Sequence, residues 1–137
     1  MENDRPIVLF DAKCSFCRWS LAKLLAWDRR GRLRPVPIDS SEGGGLLTDL
    51  DEDERNASWH FVDRDGDRRS GGTAVVPMLR ELPAGGPLAA LLARYPGFTE
   101  RAYAWVTRHR GAIGRLIPAR ARRRADARIE RRQTGPG

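Results

Sequence analysis

Two cysteines three residues apart, in Cys14-Ser15-Phe16-Cys17, are the residues of this chain best suited to chemistry. A thiolate is both a nucleophile and a metal ligand, so the pair could exchange disulfides or form half of a zinc site. Asp11 stands three residues before Cys14 and Lys13 immediately before it. Placed at the start of a helix, Cys14 would face unpaired backbone N–H groups and the positive end of the helix dipole. Both favour the thiolate, and the thiolate is the attacking species. Lys13 would add positive charge. Cys17 lies one turn further in, on the face of Leu21 and Leu24, so it is expected to be the more buried thiol. The assignment is then Cys14 as nucleophile and Cys17 as resolving thiol. Asp11 has two readings, an acceptor for the Cys17 proton or an ordinary turn-forming residue. Ser15 and Phe16, between the cysteines, would meet substrate along with Lys13.

The elements around the motif support this placement. Ile7-Val8-Leu9-Phe10 is a continuous apolar run rich in β-formers, as in a strand buried on both faces. A helical pattern follows from about Cys14 to Arg30, with Gly31 as C-cap and Arg29 and Arg30 in the last turn. Leu33 to Ile38 reads as a second strand, and Pro35 and Pro37 demote it towards a sheet edge. Ser40 to Asn56 predicts a loop and one short helix near Leu46–Glu54. Trp59-His60-Phe61-Val62 is a third strand. Asp65-Gly66 signals a type I′ hairpin, which needs positive φ at both central positions, with a return strand at Arg68–Ser70. Helices are expected over Thr73–Leu82, with Pro77 in the first turn, over Leu88–Tyr95, and from Phe98 to about Ile117. Residues 1–117 thus form one α/β domain closed by C-terminal helices.

The remainder, 118–137, carries seven arginines against Asp126 and Glu130, a net charge of +5 out of the chain's +7. With Ile129 as its one large apolar anchor, it is expected to be disordered, or helical only when bound. It could bind an acidic partner, but it offers no aromatic stacking groups and no nucleic-acid fold. Lys13 and Lys23 are the only lysines beside 23 arginines, a skew that coding bias alone would produce.

A chain of 137 residues, 40% apolar and 31% charged, is long enough for one packed core. Met-Glu-Asn-Asp-Arg has none of the pattern of a secretory leader, and Leu21–Trp27 and Leu88–Ala93 are too short to span a bilayer. The expected setting is cytoplasmic, where a lone Cys-x-x-Cys is catalytic or metal-binding more often than structural. A zinc site would need His60 and His109 or acidic groups, and neither histidine is spaced as a ligand pair. The alternating Asp49, Asp51, Asp53 and Asp63, Asp65, Asp67 fail as calcium loops. They have Glu54 and Arg68 where glycine is needed, and His60 and Ala74 where glutamate is needed. No Rossmann or P-loop pattern is present, so no organic cofactor is implied.

The segment Leu9 to Cys17 resembles the signature of the DCC family of thiol-disulfide oxidoreductases, named for Asp-x-x-Cys-x-x-Cys. Phe61-Val62-Asp63-Arg64-Asp65-Gly66, Ser70-Gly71-Gly72-Thr73-Ala74 and the block from Tyr95 to Arg110 are similar to that family as well. The resemblance covers roughly residues 6 to 117. It implies a thioredoxin-like fold with a C-terminal helical extension. It also implies exchange with a protein or low-molecular-weight disulfide or thiol, sustained by a cellular reductant. The alternative is a metal-binding or protein-interaction module on the same scaffold without redox turnover. Ala12 and Ser15 depart from the glycine and proline common in the family. Ala57-Ser58 also stands where a thioredoxin has its cis-proline, whose backbone pairs with bound peptide.

Overall fold

A computed structural model describes residues 5–134 as a mixed α/β fold around a four-stranded sheet. The central strand β1 (Ile7–Phe10) runs parallel to β2 (Arg34–Pro37), with Ile7 opposite Arg34 and Phe10 opposite Pro37. On its other side β1 is antiparallel to β3 (His60–Val62), which pairs antiparallel with β4 (Arg68–Ser70). The order is β2-β1-β3-β4. The prolines of β2 are tolerated because it is an edge strand and they fall at alternate positions. Arg34 and Ile38 donate to the carbonyls of Pro6 and Phe10, so Pro35 and Pro37 take the places whose N–H would point away from β1.

All four residues of β1 are buried, because both faces of the sheet are covered. On one face Val8, Phe10 and Phe61 meet Leu21, Leu25, Met78, Leu82 and Ile129. On the other, Ile7, Leu9 and Val62 meet Val36, Ile38 and Leu47. The crossover between β1 and β2 is α1 (Ser15–Trp27). It ends three residues earlier than the apolar pattern suggests. Asp28, fully buried, turns its carboxylate onto the N–H groups of Arg32 and Leu33, and Gly31 takes φ +66°. Arg29 and Arg30 therefore lie beyond the helix.

The single helix expected near Leu46–Glu54 is two: α2 (Ser41–Leu46) and α3 (Glu52–Ala57). Ser40 and Asp51 cap them by accepting from the N–H groups of Gly43 and Glu54, and the Glu54 side chain returns a bond to Asp51 N–H. The hairpin is not type I′, since Gly66 alone has positive φ there. Asp63 instead holds a wider loop by accepting from the N–H groups of Asp65 and Asp67. A 3₁₀ turn (Gly71–Ala74) leads into α4 (Val75–Arg80), followed by α5 (Gly86–Ala93) and α6 (Pro96–Arg115).

The expectation of a disordered tail is corrected. Residues Ala119–Thr134 form α7, packed along α1. Ala125 and Ile129 are buried, Arg18 pairs with Asp126 at 2.7 Å, and Arg132 reaches Asp28 at 2.7 Å. A run of arginines is compatible with a folded helix when one face holds small and apolar residues and one arginine has a buried partner. Residues 135–137 of that tail, and residues 1–4 at the other end, lie outside the described residues. No described helix is long and apolar enough to cross a membrane.

Candidate functional site

The turn after β1 delivers Cys14 to the N-cap of α1. Asp11 accepts from Lys13 N–H with its side chain and from Cys14 N–H with its carbonyl. Cys14 has extended backbone angles (φ −99°, ψ 116°), and its carbonyl accepts the first helical bond, from Arg18 N–H. Its sulfur takes the role usually filled by a serine or aspartate oxygen and accepts from Cys17 N–H at 3.2 Å. Both cysteines are free and half-buried.

The two thiols are strongly differentiated. Hydrogen bonding from the Cys17 thiol is the main cause that brings Cys14 down to about 6. The Cys17 N–H and the Arg110 guanidinium act in the same direction, against partial burial and the charge of Asp11. Cys17 moves the opposite way, pushed up by its hydrogen bond to Cys14, by burial and by the negative charge on Cys14. The arrangement favours one thiolate, at Cys14, next to one protonated thiol.

No sequence pattern marks Arg110. It comes from α6, with Nη1 3.7 Å from Cys17 Sγ and Nη2 donating to the Asn56 carbonyl at 2.9 Å. Nothing in its local sequence distinguishes it from the neighbouring Arg108. Only the approach of α6 to α1 selects it, and Gly114 permits that approach. A Cβ at Gly114 would lie 3.3 Å from Phe16 N, tighter than ordinary contact. Lys13 is exposed, and the cation acting on Cys14 is Arg110 instead.

Phe16 and Asp11, with Cys17, line a cavity of about 270 Å³ between α1, α6 and the sheet. Phe16 also packs at a tilt on Trp19, with centroids 6.2 Å apart. Ser15 sits away from that cavity, in a crevice with Arg18, Arg122 and Asp126. Tyr103 stands on the cavity wall, where burial pushes its phenol up and its oxygen accepts from Trp59 N–H at 3.0 Å.

The histidines are occupied elsewhere. His60 is buried, with Nε2 donating to the Arg55 carbonyl and Nδ1 accepting from Ser70 Oγ. His109 stacks on Trp105 and bonds its carbonyl. Among the described residues no three His, Cys, Asp or Glu side chains group as a metal site requires. Three of the alternating aspartates have structural partners, since Asp49 pairs with Arg68, Asp51 caps α3 and Asp63 holds the hairpin loop.

The electrostatics give a direct expectation. The rate of Cys14 alkylation by iodoacetamide in the reduced protein should rise with a midpoint near pH 6 and level off above it. Arg110→Gln removes a charge that stabilises the Cys14 thiolate, so the midpoint should move upward. An unchanged midpoint would show that Arg110 does not act on this sulfur.

The family described as DCC1-like thiol-disulfide oxidoreductase matches residues 8–116, most of the chain. No curated protein and no solved structure matches it.

Proposed function

The chain belongs to the DCC1-like thiol-disulfide oxidoreductase family, and from that premise we propose that Cys14 and Cys17 carry out thiol–disulfide exchange on a thioredoxin-like scaffold extended by C-terminal helices. The observation that carries the reading is Cys14 Sγ at the cap of α1, hydrogen-bonded by the N–H one turn on. The parallel β1–α1–β2 unit with β3 and β4 antiparallel beside it supports the scaffold assignment.

In this mechanism the Cys14 thiolate attacks one sulfur of a disulfide and expels the other as a thiolate. Cys17 then loses its proton and attacks Cys14 Sγ, which releases the second substrate sulfur. The protein pair loses two electrons and two protons, and the substrate disulfide becomes two thiols. Asp11, beside Cys17 on the cavity wall, is the acceptor for the Cys17 proton. Phe16 contacts substrate, and Lys13 and Ser15 flank the attacked sulfur. A cellular dithiol reductant restores the pair, no cofactor takes part, and a cytoplasmic setting suits the cycle.

The test is a redox titration of the pair in defined thiol buffers, read by the mass of thiol label added. A low-pKa Cys14 stabilises the reduced form, so the midpoint is expected above thioredoxin's, between about −270 and −120 mV. A pair that forms no reversible disulfide at any poise would remove the exchange reading.

A further inference from the structure

The cavity beside Cys17 is walled by Phe10, Leu21, Trp59, Leu92 and Val106, and Phe98, 64% exposed, stands at its rim. Three of the polar groups along this wall have partners within the protein. Trp59 Nε1 donates to the Gly71 carbonyl, Tyr103 Oη accepts from Trp59 N–H, and Thr99 Oγ1 donates back to the α5–α6 turn. The interior is therefore apolar, and its chemically active end is formed by Cys17, Asp11 and Arg110.

Size and pairing restrict what can enter. At about 270 Å³ the cavity falls just below the roughly 300–1,000 Å³ of sites for drug-sized ligands, so it suits a small molecule. An extended peptide would want a free backbone donor ahead of β3, and the one at Trp59 is taken by Tyr103. A hydrophilic disulfide would have to desolvate its charged groups against a mainly apolar wall whose lining cation, Arg110, is already engaged with Cys17 and the Asn56 carbonyl.

We infer that this cavity seats the apolar body of a low-molecular-weight disulfide, an aliphatic or aromatic chain carrying its own S–S bond, beside Cys17 and within one helical turn of Cys14. The inference rests on the exchange chemistry proposed above and names its substrate class. Cys14 thiolate attacks one sulfur of the small disulfide to form a mixed disulfide, and the other substrate sulfur leaves as a thiolate. Cys17, after giving up its proton, displaces the remaining sulfur. The substrate gains two electrons and two protons as its S–S bond breaks and the Cys14–Cys17 bond forms. The apolar chain occupies the cavity throughout, so binding holds the sulfur at the helix cap.

The experiment is single-turnover oxidation of the full reduced chain by two probes, lipoamide and glutathione disulfide, read by loss of labelled thiols. The strained ring of lipoamide is intrinsically faster, so the ratio of the two rate constants is divided by the same ratio for mercaptoethanol. The normalised preference for lipoamide is expected to be roughly tenfold or more, the scale set by burying a few methylene groups. Octanamide, an apolar chain without sulfur, should compete against lipoamide. Ala102→Trp, at an exposed position on the cavity lining, should bring the preference back towards one. If both probes oxidise the pair but the normalised ratio is one and octanamide has no effect, the inference is overturned and the exchange reading stands. If neither probe oxidises the pair, both fall together.

Discussion

Cys14→Ser should lower disulfide exchange by roughly a thousandfold or more, because it removes the covalent nucleophile and no second group takes over that step. Cys17→Ser should behave differently. Its first step survives, so the protein should accumulate a stable mixed disulfide through Cys14, visible as an intact mass increase equal to one substrate thiol. The asymmetry comes from the geometry of the cap. Cys14 Sγ accepts a backbone N–H and the Cys17 thiol proton, and is brought to about 6, so about nine-tenths is thiolate at pH 7. A free cysteine is only a few per cent ionised there. Cys17 is held as a thiol by its hydrogen bond to Cys14, by burial and by that same negative neighbour. Once Cys14 is in a mixed disulfide its charge is gone, one cause of the raised Cys17 pKa disappears, and Cys17 becomes easier to ionise at the moment it must attack. If the two variants lose exchange equally and neither traps a mixed disulfide, the division of roles is wrong. If Cys14→Ser exchanges as fast as the parent, Cys14 is not the nucleophile.

The β1–α1–β2 unit was legible because its signals are local. A continuous apolar run, a cysteine pair at a turn and a proline-bearing strand each point to one conformation. The divided helices α2 and α3 were less so, because their caps depend on which polar side chain turns back onto which N–H. The cation at the site was not legible at all. Arg110 is one arginine among 23, and its role follows from α6 crossing close to Phe16 at Gly114. The α7 helix left a weaker trace. Ala125, Ile129 and Arg132 fall at i, i+4 and i+7, the spacing of one helical face. Composition obscured that face, since mean charge describes the exposed side of a helix and says little about a narrow buried one.

Arg132→Met should therefore be among the most destabilising surface-charge removals in the protein. Asp28 is fully buried, and its carboxylate accepts from Arg32 N–H at 3.1 Å, Leu33 N–H at 2.8 Å and Arg132 Nη1 at 2.7 Å. Arg132 also donates to the carbonyls of Leu25, Asp28 and Leu33, which closes the C-terminal end of α1 and the start of β2. Methionine keeps much of the stem's volume, but leaves a buried carboxylate without its cation and takes the guanidinium from three carbonyls, of which that of Asp28 keeps the Gly31 N–H. Removing one partner of such a pair costs about 3–5 kcal/mol. For a domain of this size that corresponds to a fall in Tm of roughly 10 °C or more. Arg123→Met, on the exposed face of α7, should change Tm by no more than about 2 °C, as surface substitutions away from such pairs do. Calorimetry on the two variants separates the readings. Equal and small shifts would mean that α7 is a solvated appendage whose contacts with α1 contribute nothing. A large loss confined to Arg132→Met would mean that the helix is part of the core that holds α1, and with it the cysteine cap, in place.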